Sequence, residues 1–307
     1  RNAQTPMEIT FFVTLYDNDK YEPNNSIETA TQIQSGQSID FTLLYGDSDY
    51  FAITTTKQSQ FISVQAKSAE RFFVDIYDST GANVGSDQIN TSRSTVVFCT
   101  SDIGTYYLRF SYYHQSSLQP ITASFVSTLL DNDTNEPNDT KAAATELHDG
   151  ESTEFTVAGS DTDYFKVVTT KPGQDIALTV SGYNYANQGE RFYLYFDPAG
   201  DLKYNNTSCA AYAEIDANRT LYLHAAAAGE HYIALQRSDT TPLTRTLSVE
   251  ILDGDANEQN DTRETATPLT VGTDAAFMVG GFGDEDWFSF EAAPNAGEKK
   301  LYTLSFL

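Results

Sequence analysis

The chain has 307 residues, and 18 Lys and Arg stand against 43 Asp and Glu, a formal net charge of −25. That excess repels phosphate backbones and anionic lipid surfaces, which excludes nucleic acid and membrane surfaces as expected partners and favours cations. Hydrophobic residues make up 40% and aromatics 13%, with 19 Tyr, 19 Phe and a single Trp; this is enough for packed cores and it favours strands. No run approaches the roughly 18 apolar residues of a spanning helix, so no membrane insertion is expected.

Taken in chain order, the run Met7–Leu15 resembles Ile121–Leu129 and Arg245–Ile251, each leading directly into an Asp-rich element. Residues 1–16 therefore read as the last strand of a preceding repeat. The chain opens on Arg1 without a signal peptide and is expected to be a mature piece of a longer array. Next comes Asp17-Asn18-Asp19-Lys20-Tyr21-Glu22-Pro23-Asn24-Asn25. It recurs as Asp131-Asn132-Asp133-Thr134-Asn135-Glu136-Pro137-Asn138-Asp139, and again as Asp253-Gly254-Asp255-Ala256-Asn257-Glu258-Gln259-Asn260-Asp261. An Ala-Thr pair follows in every copy (Ala30-Thr31, Ala144-Thr145, Ala266-Thr267). A second acidic element follows that pair: Asp47-Ser48-Asp49-Tyr50-Phe51, Asp161-Thr162-Asp163-Tyr164-Phe165 and Asp284-Glu285-Asp286-Trp287-Phe288. Three matched elements in one order define a repeat. Its copies are residues 17–130, 131–252 and, as a first half, 253–307.

Within the copies, short segments alternate with period two between turn signals. Phe72, Val74 and Ile76 share a face, as do Ile176, Leu178 and Val180, and Phe192, Leu194 and Phe196. Ser79-Thr80-Gly81 and Asp197-Pro198-Ala199-Gly200 supply turns. The Ala-rich pieces Lys141–Leu147 and His224–Gly229 are too short for stable helices. The expected fold is all-β: tandem antiparallel β-sandwiches, jelly-roll-like, one per copy. Cys99 and Cys209 fall at non-equivalent points of two copies and are expected to be unpaired.

The acidic elements gather hard oxygen ligands and amide oxygens in the number that suits calcium. Zinc would call for His or Cys, which these elements lack, and magnesium for fewer protein ligands. An EF-hand does not fit, because counting from Asp131 the sixth position is Glu136 and the twelfth Ala142. Carboxylates at about 4 Å repel by roughly 1–4 kcal/mol per pair, which a divalent cation would relieve.

Asn-Glu-Pro-Asn-Asp-Thr at 135–140, the Ala-Thr pair, Asp-x-Asp-Tyr-Phe and Gly-x-x-Tyr at 229–232 resemble the bacterial pre-peptidase C-terminal (PPC) domain. That family is similar to the collagen-binding domains of clostridial collagenases. The resemblance covers nearly the whole chain. It implies a β-sandwich of secreted or bacterial cell-surface proteins that holds calcium where a linker meets the sandwich. The implied ligands are Glu22, Asn24, Asn25, Asp47 and Asp49; then Glu136, Asn138, Asp139, Asp161 and Asp163; then Glu258, Asn260, Asp261, Asp284 and Asp286. The collagenase relatives carry a further Glu where this chain has Lys20, Thr134 and Ala256; the pairs Asp17/Asp19, Asp131/Asp133 and Asp253/Asp255 are the candidate substitutes.

No Gly-x-Ser-x-Gly, His-Glu-x-x-His, P-loop or Gly-x-Gly-x-x-Gly occurs, and His114, His148, His224 and His231 are scattered, with His231 standing in the core position of Tyr106. The expected function is a non-catalytic, calcium-stiffened spacer or adhesion segment whose partners are neighbouring repeats of the same chain. The alternative is a module for an extracellular protein or polysaccharide, with Tyr112 and Tyr113 as candidate ligand-binding residues, or an appendage of a secreted protease.

Overall fold

Period-two alternation becomes strands wherever one face can be buried, and in the computed structural model it does so twice with the same topology. The structure describes residues 8–68, 70–112, 119–159, 161–183, 190–197, 211–239, 241–280, 284–292, 301 and 303–305, with the backbone alone for 196–197 and 211–212. The chain divides into two compact units, residues 1–132 and 133–307.

The first sandwich contains β1 (Thr31–Gln32), β2 (Ser38–Leu43), β3 (Ser48–Thr54), β4 (Phe61–Lys67), β5 (Phe72–Tyr77), β6 (Asn83–Ile89), β7 (Thr95–Cys99), β8 (Thr105–Ser111) and β9 (Ile121–Leu130). One sheet runs β1-β3-β8-β5-β6 and the other β2-β9-β4-β7. The second sandwich repeats this with β10 (Thr145–Glu146), β11 (Ser152–Val157), β12 (Thr162–Thr169), β13 (Gln174–Ser181), β14 (Phe192–Asp197), β15 (Ala211–Ile215), β16 (Arg219–Ala225), β17 (Gly229–Gln236) and β18 (Leu243–Leu252). Its sheets are β10-β12-β17-β14-β15 and β11-β18-β13-β16. All pairings within the sandwiches are antiparallel except β1 with β3 and β10 with β12. The third copy contributes β19 (Thr267–Pro268) and β20 (Phe288–Ser289), again a parallel pair.

The expected inward residues are inward: Phe72, Val74, Ile76, Phe192, Leu194, Ile176, Leu178 and Val180 are at most 1% exposed. Phe41, Phe51, Phe72, Phe110 and Phe125 pack ring against ring in the first core, with centroids 4.4–6.1 Å apart. The second core uses Phe155, Phe165 and Phe192 among aliphatic side chains. His231 does occupy the buried place of Tyr106; its Nε2 lies 2.8 Å from Thr169 Oγ1. Lys141–Ala143 forms one 3-10 turn, and His224–Ala225 ends a strand. Among the described residues no helix is long and apolar enough to cross a membrane.

Two segments differ from the alternation read in the sequence. Residues 8–16 form no strand, and Phe11, Phe12, Val13 and Leu15 are exposed. A strand is defined by its neighbours, and none pairs with this one among the described residues. In the third copy the segment around Phe277, Met278 and Val279 is also exposed and forms no strand. Cys99 ends β7, with its Sγ 3.8 Å from Thr100 O, and Cys209 lies outside the described residues.

Candidate metal centres

The Asp-rich segment is pinned in the same way in each copy. Asp19 accepts from the backbone N–H of Tyr21 at 2.9 Å and of Thr42 at 2.7 Å, which fastens it to β2. Asp133 accepts from Asn135 N at 2.8 Å and Thr156 N at 2.5 Å, and Asp255 from Asn257 N and Met278 N, both at 2.6 Å. The next anchor is an asparagine carbonyl. Asn24 O receives Tyr50 N at 2.7 Å, Asn138 O receives Tyr164 N at 2.9 Å, and Asn260 O receives Trp287 N at 2.8 Å. The Thr of each Ala-Thr pair donates its hydroxyl back to the segment, to Tyr21 O, Asn135 O and Asn257 O. This is what the repeated pair does: it closes a ten-residue loop that holds the glutamate in place.

Against this loop stands an aspartate that faces the core. Alternation along β3 puts Asp49 on the face of Phe51 and Ile53, and along β12 it puts Asp163 on the face of Phe165 and Val167. Both aspartates are fully buried. One ligand atom each of Glu22, Asp47 and Asp49 lie within 4.8 Å of one another; the same holds for Glu136, Asp161 and Asp163, and for Asp255, Glu258 and Asp286. Two ligands of one calcium, at bonds of about 2.4 Å, are never more than about 4.8 Å apart. The spacing therefore fits a single ion in each group.

Several buried polar atoms in and around these groups have no hydrogen-bond partner. Neither carboxylate oxygen of Asp163 has a hydrogen-bond partner, nor has either end of the fully buried Asn138 amide. Asp47 Oδ2, Asp49 Oδ2, Asn260 Oδ1 and Asp286 Oδ2 are likewise unpartnered. In the first copy one end of the Asn24 amide lies 3.2 Å from both Asp49 Oδ1 and Glu22 Oε2, and one end of the Asn25 amide lies 2.7 Å from Asp47 Oδ1. With NH2 at these ends, the amides bond the carboxylates; with oxygen there, they complete an oxygen cage. A half-turn of two side chains interconverts the two.

Burial first, and then repulsion from Asp47, Asp19 and Glu22, pushes Asp49 up to about 8. Burial and the neighbouring Asp161, Asp133, Glu136 and Asp139 hold Asp163 well above the usual carboxylate range. Glu258 rises to about 7, through burial and then Asp284. A group raised on folding stabilises fully below its unfolded value and loses that contribution as pH climbs through the folded value. In chelator, the melting midpoint should therefore fall as pH rises from 5 to 8, and saturating calcium should flatten that slope. Thermal melts at four pH values check this; a chelated protein that melts higher at pH 8 than at pH 5 would contradict it.

The remaining predicted residues separate by role. Asp131 accepts from Gln60 Nε2 at 2.9 Å and Lys57 Nζ at 2.5 Å; Asp253 accepts from Gln174 Nε2 and Lys171 Nζ, each at 2.9 Å. These bonds hold both carboxyls below the usual carboxylate range. Both oxygens of each are thus engaged by the sandwich that ends there, so these two aspartates fasten the chain and lie outside the three groups. Asp17 is exposed. Asp139 is a charged neighbour of Asp163, whereas Asp261 and Asp284 gather with Glu258 around His224.

Sequence reasoning missed two features here. The spacing Lys57-x-x-Gln60 and Lys171-x-x-Gln174 recurs and was the available signal for the first. For His224, the only hint was its place at the end of an alternating run. Tyr112 corrects an expectation: it is 3% exposed and belongs to the first core, because one residue past β8 it keeps the inward parity of Tyr106, Leu108 and Phe110. It cannot present a ring to a ligand. Tyr113 lies outside the described residues.

No protein-family model matches the chain, and no curated protein matches it. Among solved structures it is similar to a periplasmic inhibitor of g-type lysozyme from Aeromonas hydrophila, at 12% identity and a TM-score of 0.26, over 33% of this chain and 97% of that one. It is also similar to tripeptidyl peptidase 2, at 11% identity and a TM-score of 0.30, over 75% of this chain and 25% of that one. A putative secreted protein from Eubacterium rectale aligns at 9% identity and a TM-score of 0.24, over 80% and 87%.

Proposed function

We propose that the chain is a non-catalytic, calcium-binding β-sandwich array of a secreted or cell-surface protein, in which calcium at the start of each copy stiffens the link to the preceding one. The observation that carries this reading is the recurrence, in three copies, of a carboxylate–amide group spaced for one cation, with at least one buried carboxylate oxygen in each that has no hydrogen-bond partner. The resemblance to PPC domains in the motif residues points the same way.

The second unit supports the mechanical part. Asp253 is bonded to Lys171 and Gln174, in the turn that joins β12 and β13. In that same turn, Gly173 packs against Glu258 so closely that a Cβ on the glycine would lie 2.8 Å from that of the glutamate. Gln259 Nε2 donates to Ala226 O at 2.7 Å. A cation held by Glu258 would therefore be one residue from a bond to the preceding sandwich, and would tie the loop of one copy to the end of another. The role is cohesion, not turnover.

The test is limited proteolysis with calcium titration. Calcium should protect the segments 131–139 and 253–261 from cleavage, and chelator should expose them. Equal cleavage of both segments with and without calcium would refute the reading.

A further inference from the structure

His224 lies at the end of β16, beside the acidic residues of the third copy. It faces Asp175 across the β13–β16 pairing, and its imidazole is 2% exposed. The same register in the first sandwich opposes Cys99 to Phe61. His224 Nδ1 lies 3.1 Å from Asp175 Oδ1, so the carboxylate accepts and Nδ1 carries the proton. In the neutral ring Nε2 then presents a lone pair. What Nε2 faces is Asp261 Oδ1, at 3.4 Å and without a hydrogen bond. In that tautomer acceptor would face acceptor, so the contact calls for a cation: a second proton, which the bond to Asp175 and the nearby Asp261 and Asp284 favour by raising the ring to about 9, or a metal ion.

Two further carboxylates close around the pair. Asp284 has a side chain 1% exposed, its Oδ1 lies 4.0 Å from Nδ1, and that oxygen has no hydrogen-bond partner; nor has Glu258 Oε2. One atom from each of His224, Glu258, Asp261 and Asp284 lie within 4.8 Å of one another. The surrounding backbone fixes this arrangement. Gly280 N donates to the other oxygen of Asp284, and a Cβ at Gly280 would collide with the Asp175 carboxylate. The loop can approach only because residue 280 is glycine.

We propose that His224, Glu258, Asp261 and Asp284 form a mixed nitrogen–oxygen site for a first-row transition dication, zinc by preference, where the third copy meets the second sandwich. Calcium takes oxygen ligands, whereas imidazole with carboxylates suits zinc and its neighbours. Ligands at about 2.0 Å in a tetrahedron are about 3.3 Å apart, which is close to the separation of Nε2 from Asp261. A carboxylate on the far ring nitrogen is the usual support of a metal-bound histidine, since it fixes the tautomer and raises basicity. Asp175 is that support. Glu258 also belongs to the all-oxygen group with Asp255 and Asp286, so the two sites would share one carboxylate.

Cobalt reports this directly, because nitrogen ligation gives it a visible absorption. The full chain, saturated with calcium, should take up one equivalent of cobalt that zinc displaces. His224→Asn should weaken zinc binding at least tenfold and change the cobalt spectrum. Asp261→Asn, at a less buried position, should weaken it similarly and provides a second reading if the first variant misfolds. Absence of cobalt uptake by the calcium-loaded wild type would overturn the proposal and leave His224 as a protonated counter-ion to the carboxylates. An unchanged cobalt spectrum in His224→Asn would overturn it too. Failure of calcium to bind at any site would instead refute the calcium reading, with the cobalt result still interpretable.

Discussion

Calcium should raise the melting midpoint of this protein by about 10 °C over its value in chelator, at free calcium 100-fold above the dissociation constant. One site occupied to that extent adds about 2.7 kcal/mol by mass action. For a sandwich of roughly 115 residues, this corresponds to a shift of about 10 °C. The effect is large because the metal-free state is poor, not because the bound state is unusual. Asp47, Asp49 and Glu22 are held together in one sandwich, and Asp161, Asp163 and Glu136 in the other, and Asp47 Oδ2, Asp49 Oδ2 and both oxygens of Asp163 are buried without a hydrogen-bond partner. Each cation removes a repulsion and supplies the missing partners at once. Magnesium should do markedly less, since it keeps its waters and these cages offer crowded protein oxygens. Coincident melting curves in calcium and in chelator would end the calcium reading.

How much of this could be read in the chain beforehand depends on which interaction carried the information. The fold could be read because period-two alternation and turn residues are local, and Phe72-Val74-Ile76 points inward for the reason its spacing suggests. The clustering of the acidic groups could be read in outline because the motif recurs, and recurrence sets Glu22 or Glu136 apart from isolated loop acids. The separate role of Asp131 could not, because its bonds to Lys57 and Gln60 span more than 70 residues. The burial of Asp49 was available and easily overlooked: in Asp-x-Asp-Tyr-Phe the second aspartate shares a face with the phenylalanine. His224 needed the β13–β16 register, which no local pattern supplies. The burial of Tyr112 was also available, since it shares the inward parity of Tyr106, Leu108 and Phe110.

Asp163→Asn should reverse the order of stability between the two conditions. The carboxylate is fully buried, neither of its oxygens has a partner, and burial together with four acidic neighbours disfavours its charge. Asparagine keeps the shape and removes the charge. In chelator at pH 8 the variant should therefore be more stable than the wild type, by roughly 1–3 kcal/mol, because the amide spares the fold a buried charge or the proton that would neutralise it. In calcium the order should invert. The variant loses a charged ligand at the second sandwich, and with it most of the roughly 2.7 kcal/mol that a well-occupied site contributes. Melts of both proteins in both conditions separate the possibilities. A variant less stable than wild type in chelator would show that Asp163 serves the fold directly. One that keeps the full calcium response would show that it is not a ligand. The predicted crossing follows only if the same carboxylate destabilises the empty sandwich and binds the cation. On the proposed reading, a buried aspartate on the face of Phe165 and Val167 would thereby make the stability of the second sandwich depend on calcium.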